Sequence, residues 1–287
     1  MSSYNLEDFL VHNNKDLYSI NEIPNWYKDN NFIKDKYRKW GGSIPYYLKT
    51  IFTLHNETFN IWSHLVGSLL FIALFIYINF YDIIKDPYGD VISINIFLLS
   101  VIVCFVLSSI MHIFYPMSQN ICKQLLKLDY IGISLLILGS YGPFIYYAFY
   151  CNKKIQWIYY IILNIFGLLT IITSCYNQFQ KSQYRYYRVG LFILFVSSII
   201  VPIIHRIIRS QDRKEDFLIE LEYYILSSFI YLLGVFFFVY RTPERHITNC
   251  NICCISHQIF HILTILGAFV TFYGIIKTHE KTIHIQC

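Results

Sequence analysis

The sequence predicts an all-α membrane protein, a bundle of seven transmembrane helices. Three observations carry this. Hydrophobic side chains make up 55% of the chain and charged ones only 14%, against about 25% charged in an ordinary soluble domain. The apolar residues gather into seven runs, each able to cross a hydrocarbon core of about 30 Å at 1.5 Å per helical residue. The runs are apolar all round, whereas a helix lying on a soluble core shows a polar stripe at helical period.

In order, the runs are Phe59–Phe80, Val91–Tyr115, Asp129–Tyr150, Ile155–Cys175, Val189–Ile208, Tyr223–Tyr240 and Ser256–Ile276. Five contain no Asp, Glu, Lys or Arg; the third carries only Asp129, at its first position, and the fifth only Arg206, near its end. Residues 59–276 therefore form the membrane domain, between a polar amino-terminal segment, 1–58, and a short tail, 277–287. The first twenty residues, rich in Asn and Asp, are expected to be mobile. From Asn21 onward Trp26, Tyr27, Phe32, Tyr37, Trp40, Tyr46 and Tyr47 alternate with Lys and Arg, a mixture suited to the headgroup layer. The opening residues lack the apolar run of a signal peptide, so the first spanning helix serves as the insertion signal. The expected location is a multi-pass protein of the plasma membrane or an endomembrane.

Charge excludes one class of partner and leaves orientation open. The formal charge of +5 is scattered over both sides of the chain, whereas nucleic-acid binding wants one clustered basic face. Loops on the amino-terminal side carry Lys123, Lys127, Lys181, Arg185, Arg188, Arg241 and Arg245; opposite loops carry Lys85, Lys153, Lys154, Arg209, Arg213 and Lys214. The positive-inside rule reads this difference, and the two sets nearly balance. Cys250, Cys253 and Cys254 give one C-x2-C without a second to complete a zinc module, so they read as free thiols.

Ionisable groups inside membrane spans are costly and are functional candidates by default. His112 ends the second run, with Ser108 one turn before it; Asp129 opens the third; His257 and His261 stand four apart at the start of the seventh. Residues four apart share a helix face. With seven crossings, the end of the second run and the starts of the third and seventh fall at one depth on the amino-terminal side. Three imidazoles with an open fourth position are the ligand set of catalytic zinc, so His112, His257 and His261 are expected to hold Zn2+. A carboxylate at a helix start also caps free N–H groups, which is the competing reading of Asp129. Serines in spanning helices often bond the carbonyl one turn back, which competes at Ser108. His64 and His205 read as interfacial histidines bonded to water or backbone.

These residues stand in segments that resemble the progestin and adipoQ receptor family, which includes the adiponectin receptors and hemolysin III-type proteins. The resemblance runs from IPNWYKDN through HNETFNIWSHLVGSLLF, SSIMHIFY, KLDYIGISLLILGSYGPFIYYAFYC and TPER to SHQIFHILTILGAFVTFYG, from about Glu22 to Gly274, and is nearest the adiponectin receptor branch. It implies zinc on the histidine of S-x3-H and both histidines of S-H-x3-H, here His112, His257 and His261. It implies that Asp129 of KLDY reaches a water in the metal's shell and that the amino terminus is cytosolic. It extends to a wider group of membrane hydrolases that includes the alkaline ceramidases.

The expected function is zinc-dependent hydrolysis of a lipid amide, ceramide above others, coupled to lipid-metabolic signalling. Asp129 is the expected general base and acid, and Ser108 a donor to a water or to the developing oxyanion. Expected partners are membrane lipids, ceramide or free fatty acid, while an extracellular ligand and the oligomeric state stay open. The alternative is a signalling receptor whose zinc is purely structural. Zinc transport is a third and weaker reading, because the ligands cluster at one depth with no acidic relay beyond them.

Overall fold

Backbone groups in hydrocarbon have no water to bond, so a crossing segment must close its hydrogen bonds within a helix. The computed structural model describes residues 17–81, 88–180, 182–209, 214–247 and 251–282, so most of the stretch expected to be mobile lies outside the described residues. A short helix α1 (Ile44–Thr50) precedes α2 (Thr58–Phe80), α3 (Tyr88–Phe114), α4 (Gln119–Ala148) and α5 (Lys153–Cys175). These are followed by α6 (Arg185–Ser197), α7 (Ile200–Arg209), α8 (Lys214–Tyr240) and α9 (Ser256–Thr282). Among the described residues, six helical stretches are long and apolar enough to cross a membrane: α2, Gly89–Met117, α5, Arg185–Arg209, Leu221–Tyr240 and α9.

The expected third crossing lies in α4, which is 30 residues long but less apolar than the others. Asp129, Gly132, Ser134, Gly139, Ser140, Gly142 and Pro143 dilute it. Its position accounts for this. α4 packs against α3, α5, α6, α7 and α9, so it faces protein on most sides. The helix also begins ten residues before Asp129, where the Ser118 side chain accepts from the Ile121 N–H at 3.2 Å. Asp129 is therefore not a helix cap; Lys, Gln and Leu between 123 and 128 are good helix formers and carry the helix outward ahead of the apolar run.

Small residues bring α3 and α4 into backbone contact. A Cβ at Gly139 would lie 2.0 Å from Ser100 Oγ, and one at Gly132 would lie 3.1 Å from Cys104 Cα. Close approach through small residues is the usual way membrane helices gain packing contact. Ser108 is one turn beyond Cys104, and Asp129 is three residues before Gly132 on the antiparallel partner. The same contact therefore brings Asp129 beside Ser108.

The expected fifth run is split. Pro202 has no N–H to give the Ser198 carbonyl and its ring crowds that oxygen, and the helix breaks between α6 and α7 at Ser198–Ile199. The carbonyls at the break are not left bare. Tyr141 Oη of α4 lies 2.9 Å from Phe195 O and 2.8 Å from Val196 O, and Ser198 Oγ donates to Phe195 O.

A core of Phe71, Phe97, Leu98, Val101, Phe105, Leu136, Ala268 and Ile275 joins α2, α3, α4 and α9. Outward-facing positions such as Leu69, Ile76, Ile172, Leu194 and Phe229 are apolar and exposed, as lipid-facing positions should be.

The amino-terminal segment differs from the expectation of side chains settled in the headgroup layer. Tyr18, Tyr27, Tyr37 and Tyr47 are each at most 2% exposed. Leu17–Tyr18 (β1) pairs antiparallel with Tyr37–Arg38 (β2). Around them Ile23, Tyr27, Ile33 and Ile255 form a separate small core, so the segment folds as a cap over one end of the bundle. Arg38 holds the cap down. It is buried, and donates to His112 O at 2.6 Å, Ile113 O at 3.1 Å and Thr50 Oγ1 at 2.9 Å. A cation on the last carbonyls of α3 meets the negative end of the helix dipole.

Candidate metal centre

His112 stands two residues from the end of α3, and His257 and His261 occupy the first two turns of α9. One ligand atom from each lies within 4.8 Å of the others, with His112 and His261 buried and His257 partly so. The ring centroids are 5.0 Å apart for His112–His257 and His112–His261 and 4.8 Å for His257–His261. The convergence expected from topology is therefore present.

The first turns of α2 fix how two of these rings point. Glu57 Oε2 accepts from His112 Nδ1 at 2.8 Å. His261 Nδ1 lies 3.2 Å from the Asn60 carbonyl and 3.0 Å from Ser63 Oγ. A carboxylate and a carbonyl only accept, so both rings carry their proton on Nδ1 and present a bare Nε2. His112 Nε2 is buried and has no partner among the described residues, a costly state unless something occupies it. An imidazole held through Nδ1 by a carboxylate is the usual support of a metal-binding histidine. The donor set and this unpartnered nitrogen fit zinc.

Glu57 also accepts from Tyr115 Oη at 3.1 Å, Asn60 Nδ2 at 2.7 Å and Asn56 Nδ2 at 3.1 Å. Burial alone would raise its carboxyl, but the hydrogen bonds from His112 and Asn60 oppose it, and the group is held below its ordinary value. Nearby, burial pushes His55 down to about 3; its ring is fully buried between the Thr50 carbonyl and the Glu57 N–H.

Ser108 is buried and stands within hydrogen-bonding reach of the Asp129 carboxyl, which also feels the field of His112. Asp129 is outside the three-imidazole cluster. His64 departs from the interfacial reading. It is buried, its ring lies flat on His261 at 3.6 Å with 3° between planes, and Phe105 covers it at 4.6 Å. Neither His64 nitrogen has a partner among the described residues. His205 bonds a side chain, Tyr159 Oη, at 2.8 Å.

Glu57, Asn60 and Ser63 were not singled out from the sequence. Their signal is a polar stripe, i, i+3 and i+6, at the start of an otherwise apolar run. Glu244 of TPER was missed as well. Its carboxylate accepts from the Ser256 N–H at 2.8 Å, from Ser256 Oγ and from Asn30 Nδ2 at 2.9 Å. It thereby ties the first turn of α9, where His257 sits, to the cap.

Membrane-length helices with three imidazoles gathered at one end define a membrane protein with a candidate metal centre. Residues 52–272 match the family described as haemolysin-III related. The chain is 34% identical over 266 residues to progestin and adipoQ receptor-like protein 1 of Caenorhabditis elegans, covering 92% of this chain and 61% of the relative. It is 35% identical over 254 residues to the adiponectin receptor protein of Drosophila melanogaster, covering 88% and 57%. Heptahelical transmembrane protein 1 of Arabidopsis thaliana is 32% identical over 282 residues, covering 95% and 84%. The chain belongs to the haemolysin-III-related family, with progestin and adipoQ receptor proteins among its relatives. It spans about six-tenths of the length of the worm and fly proteins.

Proposed function

We propose that the protein is a seven-crossing membrane hydrolase that cleaves a lipid amide of the ceramide class, with zinc on His112, His257 and His261. The observation that carries this reading is the cluster of three imidazoles, two with Nδ1 already engaged and Nε2 left bare. Zinc in a three-histidine set supplies hydroxide near neutral pH and polarises a carbonyl.

This chain's own residues do the rest. Glu57 and Asn60 hold the rings of His112 and His261 in one tautomer and orientation. Asp129 takes the proton from the attacking water and delivers it to the nitrogen of the departing amine as the C–N bond breaks. Ser108 orients the Asp129 carboxyl or donates to the oxygen that gains charge. The products are a free fatty acid and an amine, both of which stay with the membrane and link turnover to lipid signalling.

In this reading α4, third in chain order, brings the crossings to seven, a count in keeping with the name of the plant relative. The amino terminus is cytosolic. Cys151, in the loop between α4 and α5, is disulfide-bonded, and disulfides persist in oxidising compartments. That loop is on the side opposite the cap, which favours a reducing cytosol around the cap, in the plasma membrane or an endomembrane.

Purified wild type is expected to carry about one zinc per chain and to hydrolyse ceramide. Asp129→Asn should keep the metal yet lose about 10²–10⁴ in rate, the usual cost of removing a general base. Full metal with no turnover in the wild type, or equal turnover in Asp129→Asn, would leave the second reading: a receptor with structural zinc, favoured by the names of the fly and worm relatives.

A further inference from the structure

A polar cavity opens beside His257, under the cap. Its walls come from the cap (Tyr27, Asp29, Asn30), the entry to α2 (Asn56, Glu57) and its first turn (Asn60), and Arg185 and Arg241 at the ends of α6 and α8. The empty space between these walls is about 410 Å³ including open solvent, of which only about 30 Å³ gives room to water-sized molecules. A solvent-open polar cleft beside a member of the imidazole cluster is placed to take a small polar group of a substrate.

Asn56 and Asn60 each give their amide N–H to Glu57, which fixes their orientation; their Oδ1 atoms are buried away from the cavity surface, with no donor among the described residues. The two acids on the wall are already engaged, Glu57 by four donors and Asp29 by Arg241. Arg185 is different. Its guanidinium gives a hydrogen bond to the Phe238 carbonyl and lies over the Phe238 ring, and Nε is buried with no hydrogen-bond partner among the described residues. The Asp29 carboxylate acts on it only through the field it shares with Arg241, without a salt bridge among the described residues. A guanidinium fork of this kind matches carboxylate and phosphate oxygens.

We propose that this cavity is a headgroup subsite and that the amide lipid it takes is acidic, with a phosphate or carboxylate on Arg185. The inference rests on the lipid-amide reading above for the identity of the ligand, but its test needs no turnover. Neutral ceramide supplies no anion, ceramide 1-phosphate supplies a phosphate and N-palmitoylglycine a carboxylate.

The test is equilibrium binding of these three lipids to the full-length, zinc-loaded protein in phosphatidylcholine nanodiscs, beside Arg185→Gln and Arg185→Lys. The expected result is at least about tenfold tighter binding of one or both acidic lipids than of neutral ceramide. Arg185→Gln should remove that preference while leaving zinc content unchanged, and Arg185→Lys should retain part of it. Which acidic lipid binds distinguishes phosphate from carboxylate. If Arg185→Gln fails to fold, the wild-type preference must still shrink as salt rises from 0.05 to 0.5 M, since screening weakens a charge contact. Equal affinity for neutral and acidic lipids, or an acidic preference unmoved by Arg185→Gln or by salt, overturns the proposal. Acid-selective binding without hydrolysis would instead count against the enzyme reading alone.

Discussion

Asp90 and His279 are hydrogen-bonded to each other at the end of the bundle opposite the metal site. They join α3 and α9, the two helices that carry His112, His257 and His261. Asp90 and His112 are 22 residues apart, as are His257 and His279, or about 33 Å of helix at 1.5 Å per residue. Two antiparallel helices of matched span are thus pinned at both ends, by an ion-pair candidate at one and by the imidazole cluster at the other.

Removing one partner of a buried pair typically costs about 3–5 kcal/mol, because the other is left uncompensated. Asp90→Ala is therefore expected to lower the Tm sharply and to loosen zinc retention at the far end. The double variant Asp90→Ala/His279→Leu should recover much of the loss. Thermal melts with zinc analysis would check this, and a double variant no better than the single would show that the two residues act separately.

Glu57→Gln keeps the shape of the Glu57 side chain but removes the charge that His112 leans on. Loss of such a support usually weakens metal affinity about 10–100-fold. Competition for zinc against a chelator of known strength should show a loss in that range. Wild-type affinity would mean that Glu57 serves the cap and not the metal.

Orientation can be read with tags in sealed vesicles. An amino-terminal tag should be cleaved by protease added on the cytosolic side, while a tag in the loop after Cys151 should be protected. The reverse pattern would place the imidazole cluster on the outer side and undo the assignment of the cap to the cytosol.

The His55 imidazole gives a pH dependence with a definite sign. Burial pushes it down to about 3, while an unfolded chain has the ordinary value of about 6.5. Between those values the unfolded chain binds the proton and the folded one does not, so stability falls as pH drops below about 6.5. The slope from this group reaches about 1.4 kcal/mol per pH unit. Between pH 7 and 5 the Tm of wild type should fall more steeply than that of His55→Gln, and parallel curves would remove His55 as the cause.

What could be read from the sequence follows from which forces act locally. Six membrane-length helices were legible because lipid demands an apolar surface on every side, and each span therefore marks itself without reference to its neighbours. α4 was legible in part, since a helix wrapped by others is free to carry Gly, Ser and Asp. The three imidazoles were legible from parity and four-residue spacing. Glu57, Asn60 and Ser63 were not, because they sit where a run begins and read as ordinary helix-start polarity. The capping reading of Asp129 failed because the end of an apolar run is not the end of a helix. The burial of Tyr27, Tyr37 and Arg38 had no local signal; their partners are up to seventy or two hundred residues away.

The cap closes on residues made much later than itself. Asn30 bonds Glu244 across 214 positions, Lys34 bonds Asn251 across 217, and Arg38 waits for the carbonyls of His112 and Ile113. Contacts of such long sequence separation carry a large loop-closure cost and form slowly. During synthesis the segment that leaves the ribosome first is consequently the one whose fold is finished last, after α9 has begun to insert. Until then the Glu57 carboxylate, the bare imidazole nitrogens and the cavity beside them lack their cover, so the cluster's last shield from water comes from the part of the chain that was made first.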